Sequence, residues 1–153
     1  MKRSKRLEPI VEMAESRESD ARQRLGKCQV KKRELLEKVD ALKRYRNDYS
    51  FRLELIGSNG LNAKQYNDYR TFLGKLNRAI EEQETVLEKI EKELQNHEKA
   101  WAAARQYMTS LRKVHASSLT EEIKTLEHRE QREADDRAAR KGHPNFDVEM
   151  AGY

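Results

Sequence analysis

The sequence predicts an all-α protein: a long antiparallel two-helix coiled-coil hairpin whose second helix overhangs the first. Charged residues form 39% of the 153 residues and hydrophobic residues only 36%, a balance typical of coiled coils, which bury narrow apolar stripes. Apolar residues recur at alternating steps of four and three along two long stretches, and this regularity argues against disorder. A strong break, Gly57-Ser58-Asn59-Gly60, separates the two stretches.

The first helix is predicted over about 7–56, and Pro9 is compatible with its first turn, where a backbone N–H has no partner. Its apolar stripe is interrupted only by Glu18, Lys32 and Arg46. The stripe consists of Leu7, Val11, Ala14, Ala21, Leu25, Cys28, Leu35, Val39, Leu42, Tyr49, Leu53 and Ile56.

The turn is predicted over 57–61, with Gly57 as the residue that ends the first helix. Asn62 is predicted to cap the second helix, with Gln65 three residues later. That helix should run over about 62–140. Its stripe, interrupted by Gln83 and His97, consists of Tyr69, Leu73, Leu76, Ile80, Leu87, Ile90, Leu94, Trp101, Ala104, Met108 and Leu111.

The hairpin fixes its own register, because residues that face each other in an antiparallel pair have numbers with a constant sum. Placing Tyr49 beside Phe72 sets Leu7 level with Val114. The first helix therefore ends opposite residue 114, and the second continues as an unpaired projection. We expect that helix to end near residue 140 and 142–153 to be disordered, within one coiled-coil domain over 1–153.

The sequence carries no pattern for catalysis, metal binding or a cofactor, so we expect neither an enzyme nor a cofactor. The four histidines lack the spacing of a metal site. Cys28, the one cysteine, fits a small core residue in a reducing compartment. No apolar run is long enough to span a membrane, and we expect a soluble cytoplasmic protein.

Three features allow more than one interpretation. The unpaired projection past residue 114 could be frayed or stabilised by a partner. Six aromatic residues flank the turn, too many for a two-helix seam to enclose: Tyr45, Tyr49, Phe51, Tyr66, Tyr69 and Phe72. They could stiffen the hairpin tip or form a docking surface. A basic run could be a solvated face or a patch for an acidic protein or nucleic acid, although nearby acidic residues weaken the nucleic-acid case. The run comprises Arg22, Arg24, Lys27, Lys31, Lys32 and Arg33.

With its length and turn position, the chain resembles the FliJ family, small coiled-coil proteins of the bacterial flagellar export apparatus, and their YscO-like relatives. The resemblance is carried by Leu7, Ala14-Glu15, Leu42-x-x-Tyr45-x-Asn47-x-Tyr49, Gly60, Tyr69-x-x-Phe72, Leu76, Ala79-Ile80-Glu81 and Trp101. It implies a non-enzymatic stalk and adaptor that inserts into the export ATPase hexamer, promotes ring assembly and activity, and contacts the membrane export gate. It also implies contact with export chaperones and a place at the inner face of the membrane at the flagellar base.

The resemblance further implies particular site residues. The family's gate-contacting surface corresponds by position to Leu42, Tyr45, Tyr49, Phe72, Leu76 and Ala79. The overhanging end, with Leu119, Ile123 and Leu126, would contact the ATPase ring. We expect a monomer that binds no nucleic acid. A coiled-coil scaffold without an ATPase partner and a nucleic-acid-binding helical arm remain alternatives, and the sequence does not separate a flagellar from a virulence-type system.

Overall fold

In the computed structural model, two long α-helices pack against each other as an all-α hairpin, which confirms the predicted fold class. Helix α1 spans Arg3–Gly57 and helix α2 spans Ala63–Ala151. The structure describes the backbone of residues 1–57, 60 and 62–151, and the side chains of the same ranges up to residue 141. The chain divides into two units, here called the hairpin unit (residues 17–105) and the terminal unit (residues 1–16 and 106–153).

The residues of α1 that face α2, here called the seam of α1, follow the predicted steps of four and three. The seam of α2 is named in the same way. The polar members of the α1 seam are accommodated in two ways. Glu18 is buried, whereas Lys32 and Arg46 are half-buried, as long side chains are when their methylene stems cover apolar surface and their charges reach water. The buried seam positions of α1 are Ala14, Glu18, Leu25, Cys28, Leu35 and Val39.

The seam of α2 likewise follows the prediction. Leu76, Ile80 and Met108 are buried, and the polar members Gln83 and His97 are half-buried. The spacing continues past Leu111 through His115, Ser118 and Glu122. These three residues are polar, so an apolar pattern could not reveal them.

Contacts within the hairpin unit show the antiparallel pairing. Cys28 Sγ lies 3.9 Å from the carbonyl oxygen of Ile90. Arg46 donates to the side-chain oxygen of Asn77 at 3.4 Å, and Tyr49 stacks near Phe72. Residues later in α1 thus meet residues earlier in α2, in agreement with the predicted register.

The terminal unit contains its own antiparallel pairs. Arg112 Nε donates to Glu15 Oε1 at 3.1 Å. Farther along α2, both the backbone N–H and the hydroxyl of Ser4 donate to the carboxylate of Glu122, at 3.1 and 2.7 Å. The expectation that pairing ends opposite residue 114 is therefore wrong, since pairing reaches Glu122.

The same contact explains why α1 begins at Arg3 and not near Leu7. The first four N–H groups of a helix have no partner within it, and the helix N-terminus favours negative charge. Glu122 satisfies one of these donors at Ser4 and supplies that charge. Pro9 consequently lies inside α1 and not in its first turn.

The turn differs from the prediction in the position of its left-handed backbone. Gly57 is the last residue of α1, but the left-handed backbone belongs to Gly60, with φ +100°. Asn62 caps α2 as predicted, because its side-chain oxygen accepts the backbone N–H of Gln65 at 2.8 Å. Ser58, Asn59 and Leu61 lie outside the described residues.

Helix α2 continues to Ala151, so its predicted end near residue 140 is wrong. Gly142 and Pro144 suggested that end; they lower helix propensity by about 1 and about 3 kcal/mol, which disfavours a helix without forbidding it. The side chains of 142–151 and all of 152–153 lie outside the described residues, and the disorder expected over 142–153 remains a prediction. In the part of the chain that is described, neither helix has a stretch apolar enough to cross a bilayer.

Candidate docking site

Four aromatic rings from both helices meet near the turn in the hairpin unit. Tyr49 lies at the centre, with its ring centroid 4.6 Å from that of Phe72 and 5.0 Å from that of Tyr69. Tyr45 approaches Tyr49 and Phe72 at 6.2 Å, meeting Phe72 edge to face at 83°. These separations are favourable for aromatic pairs. The remaining two aromatics, Phe51 and Tyr66, take no part in these ring contacts.

The six residues predicted to contact an export gate, here called the docking cluster, differ in exposure. Tyr45 is 51% exposed although its ring contacts two others. Leu42, Tyr49, Phe72 and Ala79 are half-buried, whereas Leu76 is only 9% exposed. The cluster thus has an exposed part around Tyr45 and a seam part at Leu76.

The central position of Tyr49 alters its titration. Partial desolvation, followed by the nearby Tyr69 and Tyr45, holds the pKa of Tyr49 above the ordinary tyrosine value. The phenol therefore stays neutral at physiological pH. A neutral, half-buried ring suits an apolar contact and gives no indication of acid–base chemistry.

A polar contact that the sequence analysis missed joins the two helices deeper in the hairpin unit. Trp101 Nε1 donates to Glu18 Oε1 at 3.0 Å. Arg22 lies 3.9 Å from the same oxygen, and the guanidinium of Arg105 lies 5.3 Å from the Trp101 ring centroid. Glu18 is only 8% exposed, so this hydrogen bond satisfies a buried carboxylate. The predicted register brings Glu18 close to Trp101, so the sequence did hold a signal for this hydrogen bond.

In the terminal unit, the residues predicted to contact the ATPase ring are exposed on α2. Leu119, Ile123 and Leu126 are 41%, 57% and 52% exposed. Their spacing of four and three places them on one helix face. Leu119 comes before Glu122, in the part of α2 that is paired with α1. Ile123 and Leu126 come after Glu122. The three residues thus form an exposed apolar face that begins next to α1, and its contact with an ATPase ring stays a prediction.

The contact between Ser4 and Glu122 also shapes the local electrostatics. The hydroxyl hydrogen bond from Ser4, followed by its backbone hydrogen bond, lowers the pKa of Glu122 below the usual glutamate value. Lys2 and His115 lower it further by their charge. Among the described residues, no partner meets the buried Nε2 of His115.

Two observations concern metal binding and pockets among the described residues. These residues contain no group of three or more histidine, cysteine or acidic side chains placed to hold a metal. One depression of about 670 Å³ is lined only by residues 124–132 of α2, such as His128 and Arg129, and is open to solvent. Substrate sites are concave and lined from several elements.

Comparison with known families identifies the chain's family. The family model described as "Flagellar FliJ protein" matches residues 3–144, nearly the whole chain. Searches of curated proteins and of solved structures found no significant match. The match agrees with the two-helix fold. The chain therefore belongs to the FliJ family of flagellar, export-associated coiled-coil proteins.

Proposed function

We propose that this chain is a non-enzymatic adaptor of the flagellar type III export apparatus. It enters the ring of the export ATPase hexamer, promotes ring assembly and hydrolysis, and links the ring to the membrane export gate. It acts in the cytoplasm at the inner face of the membrane, as a monomer, and also contacts export chaperones. Membership in the FliJ family supports a role in flagellar export. The exposed surfaces described above support the proposal that the chain acts by docking to partners.

The docking cluster is assigned to the gate. The observation that carries this assignment is that Tyr45 stays half-exposed while its ring contacts Tyr49 and Phe72. A side chain already held by its neighbours loses little conformational freedom when a partner binds, and aromatic residues dominate binding hot spots. The neutral Tyr49 beneath it adds apolar surface without charge.

The terminal unit is assigned to the ATPase ring. Leu119, Ile123 and Leu126 present apolar side chains along one face of a helix. Such residues at this spacing are anchors that a groove can receive. A ring lined with apolar residues would bury these three side chains together.

ATP hydrolysis by the cognate export ATPase tests the assignment when this protein is titrated in at fixed ATP. The rate should rise and saturate near one chain per hexamer. No rise with an ATPase that is active and forms rings would remove the ring-insertion mechanism.

A pair of matched variants locates the contact. Replacing Ile123 and Leu126 with serine should abolish stimulation, because both anchors are lost while the helix is kept. Replacing Val30 and Leu36 with serine changes two residues of comparable exposure, 41% and 38%, in the hairpin unit, and should leave stimulation intact. Equal effects of the two double variants would contradict the assignment of the terminal unit.

A further inference from the structure

One edge of the hairpin unit carries basic side chains at a spacing of seven residues. They are Arg17, Arg24, Lys31 and Lys38, here called the basic edge. Each immediately precedes a residue of the α1 seam: Glu18, Leu25, Lys32 and Val39. Seven residues correspond to two helical turns, so the four side chains lie in one row, about 10.5 Å apart along the axis.

The charges of the basic edge form no close ion pair among the described residues. All four side chains are exposed, and none lies within 4.0 Å of a carboxylate oxygen of the described residues. Two acidic residues, Asp20 and Glu34, lie within three or four residues of members of the row without forming such a contact. The row therefore carries four exposed positive charges that the carboxylates of a partner can reach.

The facing edge of α2 leaves room beside this row. The α2 residues that also immediately precede seam positions are Ala79, Val86, Glu93 and Ala100, and three of these four are small and apolar. Lys31 and Lys38 border a groove of about 270 Å³ together with Leu35 and Ile90. Its floor is apolar, and its rim carries the two lysines and one acidic residue, Glu34.

We propose that the basic edge binds an acidic amphipathic helix of a partner protein, which lies along the hairpin as a local third strand of coiled coil. A helix is favoured because its heptads repeat every 10.5 Å, the spacing of the basic side chains, so glutamates seven residues apart can meet each of them. The apolar face of the same helix would cover the groove beside Leu35 and Ile90. A nucleic acid would match the charge but would leave this groove uncovered. This inference goes beyond the proposed function and does not depend on it.

Charge reversal with a matched control tests the inference on the full chain. The probe is a synthetic four-heptad amphipathic helix with leucine in its core positions and glutamate flanking them, labelled for fluorescence anisotropy. Replacing Arg24 and Lys31 with glutamate should weaken binding at least tenfold, because two attractive contacts become repulsive and each exposed pair contributes about 0.2–1 kcal/mol. Replacing Arg33 and Arg44 with glutamate makes the same change of net charge on other exposed faces of α1 and should alter affinity by less than about threefold. Circular dichroism confirms that both variants keep their helices.

Several outcomes would overturn the proposal. Equal weakening of binding in both variants would show that net charge alone attracts the peptide. The same conclusion would follow if a second peptide, with its glutamates moved to the face opposite its leucines, bound as tightly as the first. Failure of the wild-type chain to bind the peptide would remove the site. Tighter binding of a single-stranded oligouridylate, lost in Arg24→Glu/Lys31→Glu alone, would assign the edge to nucleic acid. Self-association by sedimentation that disappears in that same variant would assign it to a second copy, whose Glu84, Glu91 and Glu98 repeat at the same spacing.

Discussion

Alanine substitution at Tyr45 and at Leu76 should separate binding from folding within the docking cluster. Both residues are predicted to contact the export gate, but Tyr45 is 51% exposed and Leu76 only 9%. If exposure determines the role, Tyr45→Ala should chiefly weaken gate binding, and Leu76→Ala should chiefly destabilise the hairpin.

The two costs in stability can be worked from burial. Truncating a buried leucine to alanine costs about 2–5 kcal/mol of unfolding free energy, and a narrow two-helix seam that can partly collapse places Leu76 at about 2–3 kcal/mol. Tyr45→Ala removes a large ring that is about half-buried, together with its two ring contacts at 6.2 Å. Because the row of rings beneath it remains, the expected cost is about 1 kcal/mol.

The costs in binding should follow the opposite order. An aromatic anchor at an interface contributes about 2 kcal/mol or more, so Tyr45→Ala should weaken binding about thirtyfold. For Leu76→Ala, affinity per folded molecule should change by less than about threefold. Urea unfolding followed by circular dichroism gives the stabilities, and calorimetric titration with the cytoplasmic domain of the gate protein gives the affinities.

Tyr107 provides the matched control, since it is the same residue type at the same 51% exposure, in the terminal unit. Tyr107→Ala should leave gate binding unchanged. Equal losses of affinity from Tyr45→Ala and Tyr107→Ala would refute the docking cluster as the gate-binding surface. A stability loss for Tyr45→Ala as large as that for Leu76→Ala would refute the inference from exposure.

Three further predictions concern stability. Trp101→Phe should cost about 1.5–3 kcal/mol, because the buried Glu18 carboxylate loses a charge-assisted hydrogen bond; a double-mutant cycle with Glu18→Ala that gives a coupling energy below about 0.5 kcal/mol would contradict this. The pKa of Glu122 is lower in the folded chain than in the unfolded chain, so its stabilising effect is complete above the unfolded value and is lost as pH falls through the folded value. Glu122→Gln should therefore flatten the acid side of the pH–stability curve, and identical acid limbs in both proteins would refute the role of its contact with Ser4. Gly60→Ala should destabilise the hairpin by about 1 kcal/mol in urea unfolding, because φ is +100° there; an unchanged midpoint would show that the turn adjusts.

Periodic apolar residues made the seam predictable. From Val11 to Leu53 and from Tyr69 to Leu111, the spacing identified the half-buried and buried positions, including the polar exceptions Glu18 and Gln83. A seam position is defined by its neighbours at three and four residues. A single polar residue among apolar ones can therefore still be placed.

The ends were predicted less well, because polar contacts between distant residues determine them. The seam continues through His115, Ser118 and Glu122, none of which is apolar, and α1 begins early because Ser4 finds its acceptor 118 positions away. The rings near the turn were identified from sequence. Which of them remain exposed depends on side-chain packing in three dimensions, so the division between Tyr45 and Leu76 required the structure.

The hydrogen bond between Trp101 and Glu18 has a practical consequence. Trp101 is the only tryptophan of the chain, so its fluorescence arises from a single site where both helices meet. Emission from an indole whose N–H is held by a carboxylate in a half-buried setting differs in wavelength and lifetime from that of an indole in water. Any separation or sliding of the helices within the hairpin unit would therefore be visible without a label. The native chain thus carries its own optical probe, with which movement within the hairpin unit could be followed.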